Sequence, residues 1–259
     1  MYSQLPLFIR QWHHEHSVKR DQTRQEGSYK PNLIVFSGAG LSAESGIATF
    51  RGKTTVWNSE ENARYLESWI INRDLSGFLD FHNQRRREML AAEPNAAHKA
   101  IAGLEGRLPV KVITQNIDDL HERAGSRTIL HLHGSILHLR PQGFDGERYR
   151  SDWVEDIQVG QLDPQTKTQL RPDIVLFGES IYGYDTSMAW LAKADIVVVA
   201  GTSLVVEPAA SLLRCTHPDA RVYYINIEAL PEARLPFAGQ QLIGPASEKI
   251  PELLASFVG

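Results

Sequence analysis

The chain predicts a doubly wound α/β fold, a Rossmann-like parallel sheet with a small inserted module. Three observations predict it: apolar runs too continuous for half-exposed strands, helical patterns between them, and a glycine-rich turn straight after the first run. The runs are residues 33–36, 110–113, 128–130, 174–177, 196–199 and 222–225, and they read as strands covered on both faces. Residues 96–104 read as a helix with Asn95 as N-cap after Pro94, and residues 209–215 as another entered through Pro208. Residues 51–89 read as helices without a strong strand. Residues 140–171 are polar, with a weak strand-like character. These two stretches interrupt the β/α rhythm. The expected division is therefore a core of residues 30–50, 96–139 and 172–258, a module of 51–95 and 140–171, and a polar extension over 1–29.

Composition narrows the function classes. With 259 residues, 42% hydrophobic and 22% charged, the chain is neither disordered nor fibrous. A net charge of −4 argues against a nucleic-acid partner. The single cysteine, Cys215, excludes an intrachain disulfide and a four-cysteine zinc site. No apolar run approaches the ~20 residues of a membrane span, and the N-terminus lacks signal-peptide features, so no membrane partner and a cytoplasmic location are expected. His13, His14 and His16 cluster as metal ligands do, but read better as a solvated arm.

Gly38, Gly40 and Ala43 follow the first strand at the G-x-G-x-x-A spacing of dinucleotide sites. Small residues there let backbone N–H groups approach a pyrophosphate. The bland alternative is a tight strand-to-helix turn. An ordinary NAD-binding unit has a second strand ending in an acidic residue ~20 residues later, whereas here the next clear strand starts at Val110. Gln115, Asn116 and Asp118 directly follow that strand, where ligands of open α/β sheets bind. An Asn-x-Asp pair also reads as a helix N-cap. Gly201, Thr202 and Ser203 offer hydroxyl and N–H groups to phosphate after another buried strand. Asn226 and Glu228 follow a further one and suit ribose hydroxyls. His131 and His133 share one face of a strand.

The segment from Gly38 to Arg51, with Glu44, Ser45, Gly46, Ile47, Thr49 and Phe50 in order, resembles the cofactor loop of sirtuins, the NAD-dependent protein deacylases. Further blocks of that family follow in order: Thr114 to Asp118, His133-Gly134-Ser135, Phe177-Gly178-Glu179, Gly201-Thr202-Ser203, Ile225 to Glu228, and Gly244 to Ser247. The resemblance implies NAD as cofactor and an acyl-lysine protein as substrate. It implies release of nicotinamide and transfer of the acyl group to ADP-ribose. On this resemblance the cofactor residues are Gly38, Ala39, Gly40, Ser42, Ala43, Glu44, Thr49, Phe50, Arg51, Trp57, Gln115, Asn116, Ile117, Asp118, Gly201, Thr202, Ser203, Asn226, Ile227, Glu228 and Ala246. His133 is implied as the base that deprotonates a ribose hydroxyl, with Asn116 and Asp118 at the nicotinamide end. His131 is expected to be a packed or hydrogen-bonded neighbour. The substrate is expected to lie extended between Val175, Phe177, Gly178 and Glu179 on one side and residues 204–206, including Val206, on the other. The alternatives are an NAD glycohydrolase or ADP-ribosyltransferase on the same fold, or a non-catalytic sensor of NAD.

Two features depart from the family. Sirtuins usually hold a structural zinc with two cysteine pairs, but the position of the first ligand is Pro141 and no cysteine set exists. No metal is expected, and Phe144, Tyr149, Trp153, Val154 and Ile157 are expected to pack the module instead. The second departure concerns the acyl group. Phe78, His82, Arg85 and Met89 form one helical stripe. Desuccinylating sirtuins carry Tyr-x-x-Arg at the positions of His82 and Arg85, which implies recognition of an acidic acyl group, strengthened toward pH ~6 if His82 titrates as an ordinary histidine. The alternative is that Arg85, Arg86 and Arg87 are a solvated run.

Overall fold

The computed structural model describes residues 29–49, 60–144 and 151–257. Strands β1 (Leu33–Ser37), β2 (Val110–Thr114), β3 (Ile129–His131), β7 (Ile196–Ala200), β8 (Arg221–Asn226) and β9 (Gln240–Ile243) form one sheet. Their order is β3-β2-β1-β7-β8-β9, and every pair is parallel. All residues of β1 and β7 are buried, as strands covered on both faces must be. Ile34 and Phe36 pack with Val197, Val199 and Leu212 on one face. Leu33 and Val35 pack with Val198, Ile101 and Ile250 on the other. Each such side chain contributes roughly 1.5–3 kcal/mol by leaving water.

The helices are α1 (Glu60–Ala63), α2 (Leu75–Ala91), α3 (Ala96–Gly103), α4 (Leu120–Ala124), α5 (Tyr184–Leu191), α6 (Ala209–Leu212) and α7 (Ala246–Ala255). Asn95 caps α3 as expected, its Oδ1 accepting from the Ala97 N–H at 2.9 Å. Its Nδ2 also donates to the Leu41 carbonyl at 2.8 Å, which ties this cap to the glycine-rich turn. Helix 209–215 is shorter than expected and ends in the 3₁₀ turn Leu213–Cys215.

One expected strand is placed differently. Run 174–177 does not join the parallel sheet. Its first residue ends β6 (Leu170–Ile174), which lies antiparallel to β4 (Gly134–Pro141) in a second sheet completed by β5 (Ser151–Asp152). The rest of the run satisfies its backbone elsewhere: Val175 N–H donates to His133 O, Phe177 N–H to Leu66 O, and Ser68 N–H to Phe177 O. Its apolar side chains Ile174 and Leu176 bury under α2.

Helix α2 binds this second sheet through polar side chains. Asn83 Nδ2 donates to Ile157 O at 3.0 Å, and Asn83 Oδ1 accepts from Ile157 N–H at 2.9 Å. Arg86 is fully buried and donates to the carbonyls of Ile136 and Glu155. Only Arg87 is at the surface, paired with Asp156, so the solvated-run reading of Arg85 to Arg87 fails. Of the residues expected to pack the module, Ile157 is buried and Trp153 half-buried, but Val154 is 61% exposed. Tyr149 lies outside the described residues. So do His13, His14 and His16. Among the described residues no group of three or more His, Cys, Asp or Glu side chains is placed to hold a metal ion, and no helix is long and apolar enough to cross a membrane.

Candidate active site

The chain runs from β1 outward to β2 and β3, then returns to β7 beside β1 and continues to β8 and β9. The crevice between β1 and β7 is therefore the switch point where such sheets bind ligands. The loops leaving these two strands touch backbone to backbone. Gly38 N–H donates to Ala200 O at 3.0 Å and Gly40 N–H to Gly201 O at 2.8 Å. A Cβ on Gly201, whose φ is +65°, would stand 2.2 Å from Leu41 N. Only glycine fits there. The anticipated helical turn is present as two 3₁₀ turns, Ala39–Leu41 and Ala43–Ser45.

Beyond β2, a hydrogen-bonded chain organises the polar end of the crevice. Asn116 Nδ2 donates to Ser42 Oγ at 3.0 Å, and the Ser42 hydroxyl donates to Asp118 Oδ2 at 2.9 Å. Asp118 Oδ1 accepts the Leu120 N–H at the start of α4 at 3.1 Å. The N-cap of α4 is Asp119, without a side-chain capping bond, so the capping reading of the Asn-x-Asp pair fails; Asp118 instead makes an Asx turn just before the helix. Burial raises the Asp118 pKa, while the Leu120 N–H and the Ser42 hydroxyl oppose the shift. Gln115 Nε2 donates to Thr202 Oγ1 at 3.1 Å and joins this chain to the loop after β7.

His133 Nδ1 lies 2.9 Å from Gln115 O. A carbonyl only accepts, so Nδ1 carries the proton and Nε2 is the basic nitrogen of the neutral ring. Burial lowers its pKa. His133 is therefore neutral and competent as a base at neutral pH.

A cavity of about 700 Å³ opens here. Its wall takes in Gly38, Ala39, Gly40, Ser42, Ala43 and Thr49 from the first loop, and Gln115, Asn116, Ile117 and Asp118 beyond β2. His133, Gly201, Thr202 and Ser203 follow, with Asn226, Ile227, Glu228 and Ala246 also on the wall. Val175, Phe177, Gly178, Glu179 and Val206 line it too. Glu44 does not. Its carboxylate accepts from the Ser247 N–H and hydroxyl at 3.0 and 2.8 Å, bracing the glycine-rich turn against α7. Phe50, Arg51 and Trp57 lie outside the described residues. His82 and Arg85 are buried off the wall, although Met89 of the same stripe is on it.

The residues present suit a dinucleotide. The glycine contacts leave no room for side chains between the two loops, and Asn226 Nδ2 is buried without a hydrogen-bond partner among the described residues, as a ribose contact requires.

Sequence reasoning missed several site features. Ile47, Leu66 and Met89 line the cavity; Ile47 lay within the Gly38–Arg51 segment and Met89 in the helical stripe, while Leu66 carried no signal. Glu179 accepts from Arg171 Nη1 at 2.6 Å and from Arg140 Nη2 at 3.1 Å, and from the Leu176 N–H at 2.9 Å. Both arginines are buried, and together with Glu179 they fix the turn that carries Phe177 and Gly178.

His82 corrects one expectation. It is fully buried, its Nδ1 is 2.9 Å from Phe78 O, and desolvation lowers its pKa to about 3. It stays neutral at pH 6, so it supplies no pH-dependent acyl preference. Arg85 Nη2 is held by Glu88 at 2.5 Å.

A glycine-lined switch-point crevice beside a neutral histidine and a buried carboxylate defines a dinucleotide-dependent enzyme of the Rossmann-like class. The chain belongs to the Sir2 family, which it matches over residues 38–208. It is 46% identical over 198 residues to an NAD-dependent protein deacylase of Helicobacter pylori, covering 76% of this chain and 85% of that one. It is 38% identical over 230 residues to an NAD-dependent protein deacylase of Pyrococcus furiosus, covering 85% and 91%. A Sir2 homologue crystallised with NAD superposes with a TM-score of 0.77 at 36% identity, covering 88% and 90%. A Sir2 complex with a p53 peptide and NAD⁺ superposes with 0.73 at 27% identity, covering 91% and 97%.

Proposed function

We propose that this chain is an NAD-dependent protein-lysine deacylase. One observation carries the reading: His133, with Nε2 as its basic nitrogen, lines the same cavity as the Asn116–Ser42–Asp118 chain and the Gly38–Gly201 crevice. NAD, when bound, would supply a ribose carbon that gives up nicotinamide to the acyl oxygen and a ribose hydroxyl that takes the acyl group, freeing the lysine amine. Thr202 and Ser203 would hold its phosphates, while Gly38, Gly40 and Gly201, whose N–H groups bond to the Ala200, Gly201 and Ile225 carbonyls, leave the wall free of side chains for close approach. Asn226 and Glu228 would hold a ribose, and Asp118 would accept from the nicotinamide carboxamide. His133 Nε2 takes a proton from a hydroxyl placed before it, and its Nδ1–H bond to Gln115 O keeps the ring aimed and in the correct tautomer. The core residues would serve the cofactor, and Leu66 and Met89 of the 51–95 module would wall the substrate side.

The acyl-lysine chain would lie along Gly178, Glu179 and Val206. Phe177 offers no free backbone edge, since its N–H and carbonyl are already paired with Leu66 and Ser68. Near α2 the cavity wall is apolar, built by Ile47, Leu66, Met89 and Ile117. This wall favours a short apolar acyl group. A succinyl or malonyl carboxylate remains a second reading because Arg85 is one turn from Met89, but it would have to take the guanidinium from Glu88.

The test is mass spectrometry of products from NAD with acetyl-, succinyl- and unmodified lysine peptides. Acyl-ADP-ribose formed only with acylated peptide supports the deacylase. Nicotinamide release at equal rate without acyl-lysine would instead show an NAD glycohydrolase.

A further inference from the structure

The two carbonyls that follow β2 are each gripped by an imidazole. Gln115 O faces His133 Nδ1, and Asn116 O faces His131 Nδ1 at 2.8 Å. The two rings differ at their other nitrogen. That of His133 belongs to a ring on the cavity wall, whereas His131 Nε2 lies 2.8 Å from Glu122 Oε1 on α4. A carbonyl and a carboxylate both accept only. Both ring nitrogens of His131 must therefore donate, and a ring that donates from both is an imidazolium. His131 is thus built to be charged, two residues from a histidine built to be neutral.

Resting on the deacylase reading, we propose that Glu122 and His131 are positioning residues for the nicotinamide end of the site: their ion pair clamps the Asn116 carbonyl and places a fixed positive charge beside Asp118. The loop from Gln115 to Leu120 is then held at three points: by His133, by His131, and by the Ser42 and Leu120 bonds to Asp118. Burial raises the Asp118 pKa and the His131 charge opposes that rise, so the cation helps keep an ionised acceptor in the cavity wall. Asn116 gains orientation, since its carbonyl is fixed while its Nδ2 is held by Ser42.

The arrangement has a direction in pH. The groups acting on His131 are Glu122 of α4, Asp118 before that helix and the Asn116 carbonyl; the His131 charge in turn acts on His121 of α4, and His138 of β4 acts on Glu122. Burial depresses the His131 pKa, but the Glu122 hydrogen bond and charge, the Asn116 carbonyl and Asp118 outweigh it and the pKa is raised. His121 is held neutral by burial and does not compete. The clamp is complete below the raised pKa of His131. As pH rises through it, Nε2 loses its proton and its lone pair meets the Glu122 carboxylate, so the clamp loosens on the alkaline side.

The test compares wild type with Glu122→Gln and Glu122→Asp, which are exposed changes that leave the core intact. The readouts are kcat/KM for NAD and nicotinamide exchange from pH 6 to 10 at saturating acyl peptide, KM for the peptide, and Tm. Glu122→Gln should move the alkaline limb for NAD to lower pH by about one unit and lower kcat/KM for NAD at pH 8 by about tenfold, with peptide KM within about twofold. Glu122→Asp should recover part of both effects. An unshifted limb in Glu122→Gln would overturn the clamp. So would equal losses on NAD and peptide with a fallen Tm, because that marks a merely structural pair. A His133→Ala control separates the two claims: if that variant still deacylates at the wild-type rate, the deacylase reading itself fails.

Discussion

Replacing Asn83 by alanine should destabilise the chain without touching the cavity. Asn83 is 3% exposed and makes a two-point contact with the backbone of Ile157, 74 residues away, while its Oδ1 also accepts from Arg86 Nη1 at 2.7 Å. Arg86 keeps its bonds to Ile136 O and Glu155 O when that contact is lost. The Ile157 N–H and carbonyl do not keep the bonds Asn83 gives them. Stranding a buried polar group costs ~1–3 kcal/mol. Two such groups, partly relieved by water entering the gap, give a loss of ~2–3 kcal/mol. For a chain of this size each kcal/mol lowers Tm by about 2–4 °C, so a fall of about 5–10 °C is expected. Asn83→Asp keeps the acceptor for Ile157 N–H and Arg86 and loses only the donor, so it should fall between wild type and alanine. Thermal unfolding and denaturant titration at fixed protein concentration read both variants. Asn83 is absent from the cavity wall, so kcat/KM for NAD at 25 °C should stay within about twofold. A Tm change under about 1 °C for Asn83→Ala would refute the reasoning and show that apolar packing alone holds the second sheet.

His133→Ala should abolish acyl transfer while leaving NAD binding, read by calorimetry, largely intact. In wild type, burial lowers the His133 pKa, so the neutral base persists below the ordinary histidine value and activity should fall only as pH drops through that lowered pKa. Gly201→Ala places a Cβ 2.2 Å from Leu41 N at a φ of +65° and should weaken NAD binding more than tenfold, a cost of at least ~1.4 kcal/mol. A chelator should leave Tm and activity unchanged, and elemental analysis should find no stoichiometric zinc; one tightly held zinc per chain would sink this expectation. Arg85→Met should lower kcat/KM for succinyl-lysine more than for acetyl-lysine if a carboxylate displaces Glu88, and equal effects on both peptides would remove Arg85 from acyl choice.

The main sheet was legible because its central strands are buried on both faces, and continuous apolar runs such as 33–36 and 196–199 have few other uses. Edge strand β9 escaped notice for the converse reason. Gln240–Ile243 has a polar half and an exposed isoleucine, and nothing local separates it from a loop. The run 174–177 misled because apolarity reports burial, not the partner. Ile174 and Leu176 are covered by α2 while Phe177 is 45% exposed, and the backbone pairs with residues 66 and 68 and with His133, contacts fixed only when distant segments meet. The polar segment 140–171 hid part of an antiparallel sheet because its hold comes from Asn83 and Arg86, residues that carry no local strand signal.

The candidate site was legible where chemistry follows the strand ends and dark where it depends on side chains crossing between elements. Gly38, Gly40, Asn116, Asp118 and Gly201 sit at strand termini, where an open α/β sheet puts its ligands, so order along the chain sufficed to find them. Arg85 shows the opposite limit. The stripe it shares with Met89 correctly predicts a buried face, and a buried guanidinium demands an anion. The sequence offers two, an acyl carboxylate from outside and Glu88 three residues on. The structure seats Glu88 there at 2.5 Å, with its side chain still 46% exposed. Glu88 is open to water but Arg85 is buried, so removing Glu88 without replacement would leave an unpaired buried cation, a cost of about 3–5 kcal/mol. A carboxylate arriving through the cavity would have to pass the wall at Met89 and replace Glu88 on Arg85. Neutral His82, whose Nε2 makes no hydrogen bond among the described residues, leaves one further polar atom on that face to be satisfied. An acidic acyl preference in this chain would require an incoming carboxylate to displace Glu88 from a guanidinium that lies behind the cavity wall, an exchange that neither the spacing of residues nor the resting geometry sets by itself.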